Sequence, residues 1–235
     1  MRKFTLLPLI FLYLNSFSQN SLNKNSYSFY DSLVGVENTE IFNGPRFLDI
    51  LKSTKDNHRY FNSLAFVRGY IIYNSQLYNH INLRYDLIND DVIVVSSGDK
   101  GFFDVRLIRD KVQEFGIQNH HFIKLPEDKA TGFYEVGYIG AQVSLYIKHQ
   151  KSTKERLNKR VPYFEFFKTS FYQLRYNGKL YKIESSRDVE AIIPDKREQI
   201  RDFHSTYAIL SKSKPDAYIV KLITYLDNNL SIADD

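Results

Sequence analysis

The sequence predicts an α+β protein: an antiparallel β-sandwich or open barrel followed by two or three C-terminal helices. Three observations carry this. Apolar and polar residues alternate with period two over much of Leu64–Ile183, as strands with one buried face require. Turn-forming residues recur about every 8–12 residues across Leu64–Ile147, a spacing typical of meandering sheets. Beyond Ser185 the apolar spacing becomes helical. Eighteen Tyr and eighteen Phe with no Trp fit the same picture, because rings pack well on half-buried pleated surfaces while Tyr hydroxyls reach water.

Taken in order, residues 1–18 read as a cleavable secretory signal. Arg2 and Lys3 precede an apolar run from Phe4 to Leu14, and Ser16 and Ser18 sit three and one positions before a cut ahead of Gln19. The run is about half the ~20 residues a bilayer-spanning helix needs, and no later segment reaches that length. The chain has no cysteine, which closes lipoprotein acylation, disulfides and thiolate chemistry. Export without disulfides points to a Gram-negative periplasm or outer envelope; the sequence leaves periplasm, cell surface and medium open. Without Arg2 and Lys3 the formal charge falls from +5 to +3, too little to argue for a nucleic-acid partner. Residues 19–63 begin Asn/Ser-rich and read as a flexible lead-in and loop, with a turn at Phe42-Asn43-Gly44-Pro45 and a short helical turn over Phe47–Leu51. One β-rich domain then fills 64–230, with its helical part from about 186.

Within that domain, Asn74-Ser75-Gln76 between Ile71-Ile72-Tyr73 and Leu77-Tyr78 predicts a tight hairpin. Ile81, Leu83, Tyr85 and Leu87 alternate with Asn82, Arg84 and Asp86. Asp90-Asp91 opens Val92–Val95, apolar enough to be buried on both faces. Gly98–Gly101 turns the chain into Phe103, Val105 and Leu107. Further strands are expected at His121–Leu125, Tyr134–Tyr138 and Val143–Ile147, with Gly132, Gly137 and Gly140 as bulges or bends. A basic link follows over 148–160, then strands at Tyr163–Lys168 and Phe171–Tyr176. Asn177-Gly178, a strong type I′ hairpin signal, leads to a third. Tyr73–Tyr78 echoes Tyr176–Tyr181, which reads as two hairpins with the same turn chemistry. The tail is helical: Ser185/Ser186 cap the segment of Val189, Ile192 and Ile193; Ile200, Phe203, Tyr207 and Leu210 recur near helical spacing; Ile219, Leu222, Ile223 and Leu226 follow i, i+3, i+4, i+7. Pro194 and Pro215 suit first-turn positions.

Residues with chemistry are few. His120-His121 is the obvious metal candidate, but neighbours on a strand point to opposite faces, so the pair does not chelate together and no metal site is assigned. Asp86, Asp90 and Asp91 crowd one turn, where carboxylates either serve the turn or bind a cation and raise each other's pKa. Ser96-Ser97-Gly98-Asp99 matches no nucleophile signature, and no phosphate-binding loop or cofactor motif occurs. Asp86, Asp91 and His121 are the catalytic candidates, with His120 beside them. Lys151, Lys154, Arg156, Lys159 and Arg160 are the candidate contact residues, on a segment that is either a solvated connection or a surface for an acidic partner.

Phe42-Asn43-Gly44, His58-Arg59-Tyr60-Phe61, Gly69-Tyr70-Ile71-Ile72-Tyr73, Leu83-Arg84-Tyr85-Asp86-Leu87, Asp91-Val92-Ile93-Val94 and Gly132-Phe133-Tyr134 give the chain its resemblance. It resembles a family of exported Bacteroidetes proteins with no assigned activity. The resemblance implies export and a β-rich body ending in helices, and transfers no catalytic residue. The expected function is a non-catalytic binding or accessory protein of the periplasm or cell envelope, without cofactor, recognising an envelope protein or surface polymer through a sheet face, an edge or the basic hairpin. The alternative is an envelope-acting hydrolase or metal-assisted enzyme.

Overall fold

The computed structural model describes residues 39–230 except Lys52, Thr54, Lys55, Asp99, Lys100, Asp128, Lys129, Lys159 and Arg160. The signal read over 1–18 and the start of the lead-in lie outside the described residues. Ten strands form one antiparallel sheet: β1 Val67–Tyr73, β2 Gln76–Asp86, β3 Asp91–Gly98, β4 Gly101–Arg106, β5 Val112–Ile117, β6 His120–Lys124, β7 Phe133–Ile139, β8 Val143–Asn158, β9 Val161–Tyr176 and β10 Lys179–Ile183. Their order across the sheet is β10-β9-β8-β7-β6-β5-β1-β2-β3-β4. Helices α1 Ser186–Ile192, α2 Arg197–Thr206, α3 Ala208–Ser213 and α4 Pro215–Leu230 follow.

The α+β class with an open antiparallel sheet is therefore the observed fold. The sandwich is not, because all ten strands share one sheet. That sheet curls: the β2–β3 turn reaches β8, where Lys151 N–H donates to the Leu87 carbonyl at 3.0 Å and Lys148 Nζ to Asp90 Oδ2 at 2.7 Å. Four helices replace the expected two or three because Tyr207 leaves helical geometry (φ −110°, ψ 24°) and splits the Ile200–Leu210 run.

Local chemistry explains the boundaries. Asn74 and Ser75 both take positive φ (50° and 65°), as do Asn177 and Gly178 (48° and 72°), so the two echoing segments are both tight turns of the primed kind. Gly137 sits at the register shift between β7 and β8, a bulge as expected. Ser185 and Asp188 form a reciprocal capping box on α1, satisfying donors the helix leaves free; Pro215 begins α4.

Three further expectations are corrected. The basic link is strand: β8 runs sixteen residues and pairs with β9 from Val143↔Tyr176 to Asn158↔Val161, which also joins the two strands foreseen after the link into one. A lysine every third residue masks alternation, but backbone pairing with the Phe-rich partner still extends the ladder. The short helical turn lies at Glu40–Phe42, not Phe47–Leu51. Nor is the described part of the lead-in loose, for Ile41, Tyr60 and Phe61 are buried.

One face of the sheet carries two apolar clusters. The first fills the curl with Phe61, Ile71, Leu83, Tyr85, Phe115, Phe122 and Phe133. Its rings pack closely, with Phe115 stacked on Phe122 at 4.8 Å and Phe61 edge-on to Phe122 at 5.0 Å, geometry that aromatic quadrupoles favour. The second lies under the helices and joins Leu145, Ile147 and Leu174 to Val189, Ile200, Ile219, Leu222 and Leu226. Truncating a ring such as Phe122 to Ala costs about 3–5 kcal/mol in a core of this kind.

Candidate functional site

The three Asp of the β2–β3 turn do not converge; each faces its own cation. Asp86 is fully buried and accepts from Nε and Nη2 of Arg59, at 2.9 and 2.5 Å, with the Ile88 N–H and Asn89 amide on the same carboxylate; Arg59 Nη1 lies 3.5 Å from Asp49. Asp90 accepts from the Tyr85 hydroxyl and from Lys148. Asp91 accepts from Arg109 at 2.8 Å. These are folding contacts. A buried pair such as Arg59–Asp86 costs several kcal/mol when one partner is removed, since without Asp86 the Arg59 guanidinium keeps only Asp49 as an ionic partner among the described residues, at 3.5 Å and partly exposed.

His120 and His121 do point to opposite faces. His121 lies outside the curl, with Nε2 3.4 Å from Glu114 Oε2. His120 faces inward, edge-on to Phe61 at 4.9 Å, and begins a polar row that crosses four adjacent strands. Its Nδ1 donates to Glu135 Oε1 on β7 at 2.5 Å. Glu135 Oε2 accepts from His149 Nε2 on β8 at 2.5 Å, and His149 Nδ1 lies 3.3 Å from Ser170 Oγ on β9. Asp216, in the first turn of α4, ends the row: it accepts from Lys168 Nζ at 2.8 Å and the Tyr172 hydroxyl at 2.9 Å. Strand register builds this line, since Phe122↔Glu135, Glu135↔Ile147 and His149↔Ser170 are direct partners and alternate residues share a face.

The row occupies the trough where the two apolar clusters meet. A cleft of about 360 Å³ opens there, walled by Phe61, Ile147, Ala217 and Val220 and edged by Asn62 and Lys221. Burial alone would push the Glu135 carboxyl up, but the His149 and His120 imidazoles outweigh it and hold it below the ordinary carboxylate range. Asp216 is likewise held low: burial opposes, while Lys168, Ser170 and Tyr172 prevail. Among the described residues no three His, Asp or Glu are arranged to hold a metal ion.

The basic segment gives a second feature. β7 pairs with β8 only as far as Ile147, and β10 with β9 only as far as Tyr172. Beyond these points β8 and β9 continue with no other strand paired to them among the described residues. From about Ser152 onward this is roughly 20 Å of two-stranded ribbon at about 3.3 Å per residue. Lys151 is not on offer to a partner: its Nζ donates to the His58 and Tyr60 carbonyls, and burial pulls its pKa down to about 8. Phe166 N–H donates to Asn57 Oδ1. These bonds brace the base of a ribbon that alone would be marginal. Lys154 is exposed opposite Glu165, Arg156 Nε donates to Glu165 at 2.9 Å, and Lys159 and Arg160 fall outside the described residues. Leu157, Phe167 and Tyr163 are 73, 47 and 38 % exposed.

Sequence reasoning missed Glu135, His149, Ser170 and Asp216. One signal was present: His149 continues the inward series Val143, Leu145, Ile147, and a polar residue on a core face asks for partners. Comparison with protein-family models, curated proteins and solved structures finds no match.

Proposed function

We propose that the protein is a non-catalytic binding protein of the bacterial cell envelope, and that it holds an envelope protein or surface polymer on the β8–β9 ribbon. The supporting observation is the ribbon itself, which leaves Leu157, Tyr163 and Phe167 exposed beside Lys154 and Arg156. Two strands without a covering layer contribute little to their own stability, and aromatic and arginine side chains are what binding surfaces favour. The exported location rests on the signal read at the N-terminus and on the family resemblance. No described helix is long and apolar enough to cross a membrane. The candidates for an enzyme, Asp86, Asp91 and His121, lie on different partners and faces, which favours binding over hydrolysis.

The test is crosslinking in intact cells with a photoreactive residue at Phe167, beside a control at Arg201 on α2. A discrete adduct from 167, absent from 201 and lost when L157S/Y163S is introduced beside the photoreactive residue, is expected. Equal labelling at both positions, or adducts indifferent to the double substitution, would rule the ribbon out as the binding surface.

A further inference from the structure

The cleft between Phe61 and α4 is independent of the ribbon, and its chemistry follows from which polar atoms are already used. Both Glu135 oxygens are taken by imidazole N–H groups. Both Asp216 oxygens are taken by Lys168 and Tyr172. A carboxylate only accepts, so Nδ1 of His120 donates to Glu135, while the Asn62 side-chain N–H, a donor, faces Nε2, and in this arrangement Nε2 offers its lone pair. That atom meets only the Asn62 amide, at a long 3.3 Å. Asn62 itself sits at φ 48°, an uncommon angle that places its side chain at the cleft mouth. Lys168 has two further N–H donors beyond the one on Asp216. Lys221 forms no ion pair with a described residue; its Nζ lies over the Tyr207 ring at 4.4 Å. What remains on offer is one oriented acceptor, two ammonium groups and an apolar wall of Ile147, Ala217 and Val220.

From this we propose that the cleft binds a small hydroxylated anion, a sugar acid or sugar phosphate. A ligand hydroxyl would donate to His120 Nε2, displacing the Asn62 amide. Its anionic group would meet Lys168 and Lys221, and its carbon face would lie on the apolar wall. A neutral sugar lacks the charge, and a simple fatty acid lacks the donor. The volume, about 360 Å³, lies at the small end of ligand pockets and suits one monosaccharide. Glu135 acts here as a positioning residue that fixes the His120 tautomer, as carboxylates do behind ligating histidines.

The test is calorimetric titration of the full mature chain with four probes: D-glucuronate, glucose 6-phosphate, D-glucose and propionate. At least one of the two hydroxylated anions should bind, and which of them binds better separates carboxylate from phosphate. D-glucose and propionate should each bind at least about tenfold more weakly, since a polar site rejects analogues that leave its groups unpaired. K221M, a surface change in a residue without ion pairs to described residues, should weaken binding about fivefold, and H120F should abolish it while the thermal midpoint confirms folding. The L157S/Y163S ribbon variant should bind the probes unchanged, so failure at one site does not stand for failure at the other. Absence of binding by both hydroxylated anions, equal binding of D-glucose or propionate, or unaltered affinity in K221M and folded H120F overturns the proposal.

Discussion

Replacing Asp227 by Ala asks whether one buried carboxylate fastens α4, and with it one wall of the cleft, to the sheet. Asp227 Oδ1 accepts from the Gln142 and Val143 N–H groups at 2.9 and 3.1 Å. Oδ2 accepts from Ala141 N–H and the Tyr138 hydroxyl, both at 3.0 Å. The β7–β8 turn comes so close that a Cβ on Gly140 would lie 2.1 Å from Oδ2, which is why glycine stands there. Alanine removes the acceptor from three backbone donors. Ala141 is exposed and Gln142 half-buried, so water re-satisfies them in part; Val143 is buried and bears the full penalty of about 1–3 kcal/mol. With the lost charge-assisted bonds, D227A should cost about 3–4 kcal/mol, or roughly 6–15 °C in Tm for a chain of this size. Denaturant titration and calorimetry measure both. Burial pushes the Asp227 carboxyl up, but the three N–H groups and Tyr138 outweigh it and hold it low. A depressed carboxylate stabilises above its unfolded pKa of about 3.9 and loses that contribution as pH falls through the folded value. The gap between wild type and D227A should therefore be full at pH 7 and narrow in strong acid. A cost under about 1 kcal/mol, or an equal gap at both pH values, refutes this account of the turn.

Other outcomes follow from the same contacts. D86A should destabilise by about 3 kcal/mol by leaving the buried Arg59 guanidinium only the weaker contact with Asp49, whereas R59M/D86L should recover much of the loss; if the double variant is as unstable as D86A in urea titration, the under-paired charge is not the cause. Lys151 is depressed from its usual value to about 8, so the unfolded chain binds more protons between about pH 8 and 10.5, and wild type should gain stability relative to K151M across that window. The gain should be about 1–2 kcal/mol, less than the whole shift converts to because the side chain is only half-buried; a flat difference in Tm would contradict it. Gly178, at φ 72°, should lose about 1 kcal/mol on change to Ala, visible as a lower urea midpoint with unchanged slope, whereas an unshifted midpoint would remove the turn-strain reading.

Much of the fold was legible because a strand's period and a turn's φ are local properties. Leu83 and Tyr85 alternate, Asn177-Gly178 announces its own angles, and Ser185 marks a helix start, to which the structure adds Asp188 as the reciprocal half of the cap. β5 was not legible, although it lies mid-sheet. Tyr73 pairs with Val112 while Ile72 pairs with Glu114, so Gln113 is an extra residue, and a bulge breaks the alternation that reveals a strand. The basic stretch over 148–158 was hidden differently: β8 is specified less by its own lysines than by the ladder offered by Val161–Tyr176.

The candidate site divides the same way. Composition and the N-terminal pattern, properties of the chain read residue by residue, set the expectation of an exported, cysteine-free, aromatic-rich β protein. That His120 meets Glu135, that Glu135 meets His149, and that α4 brings Asp216 to the end of the row depend on the register of four strands and the seat of one helix. Residues separated by fourteen to nearly a hundred positions carry no local signal of one another; only hydrogen-bonded pairing across the sheet and the packing of α4 on its apolar face fix which of them touch.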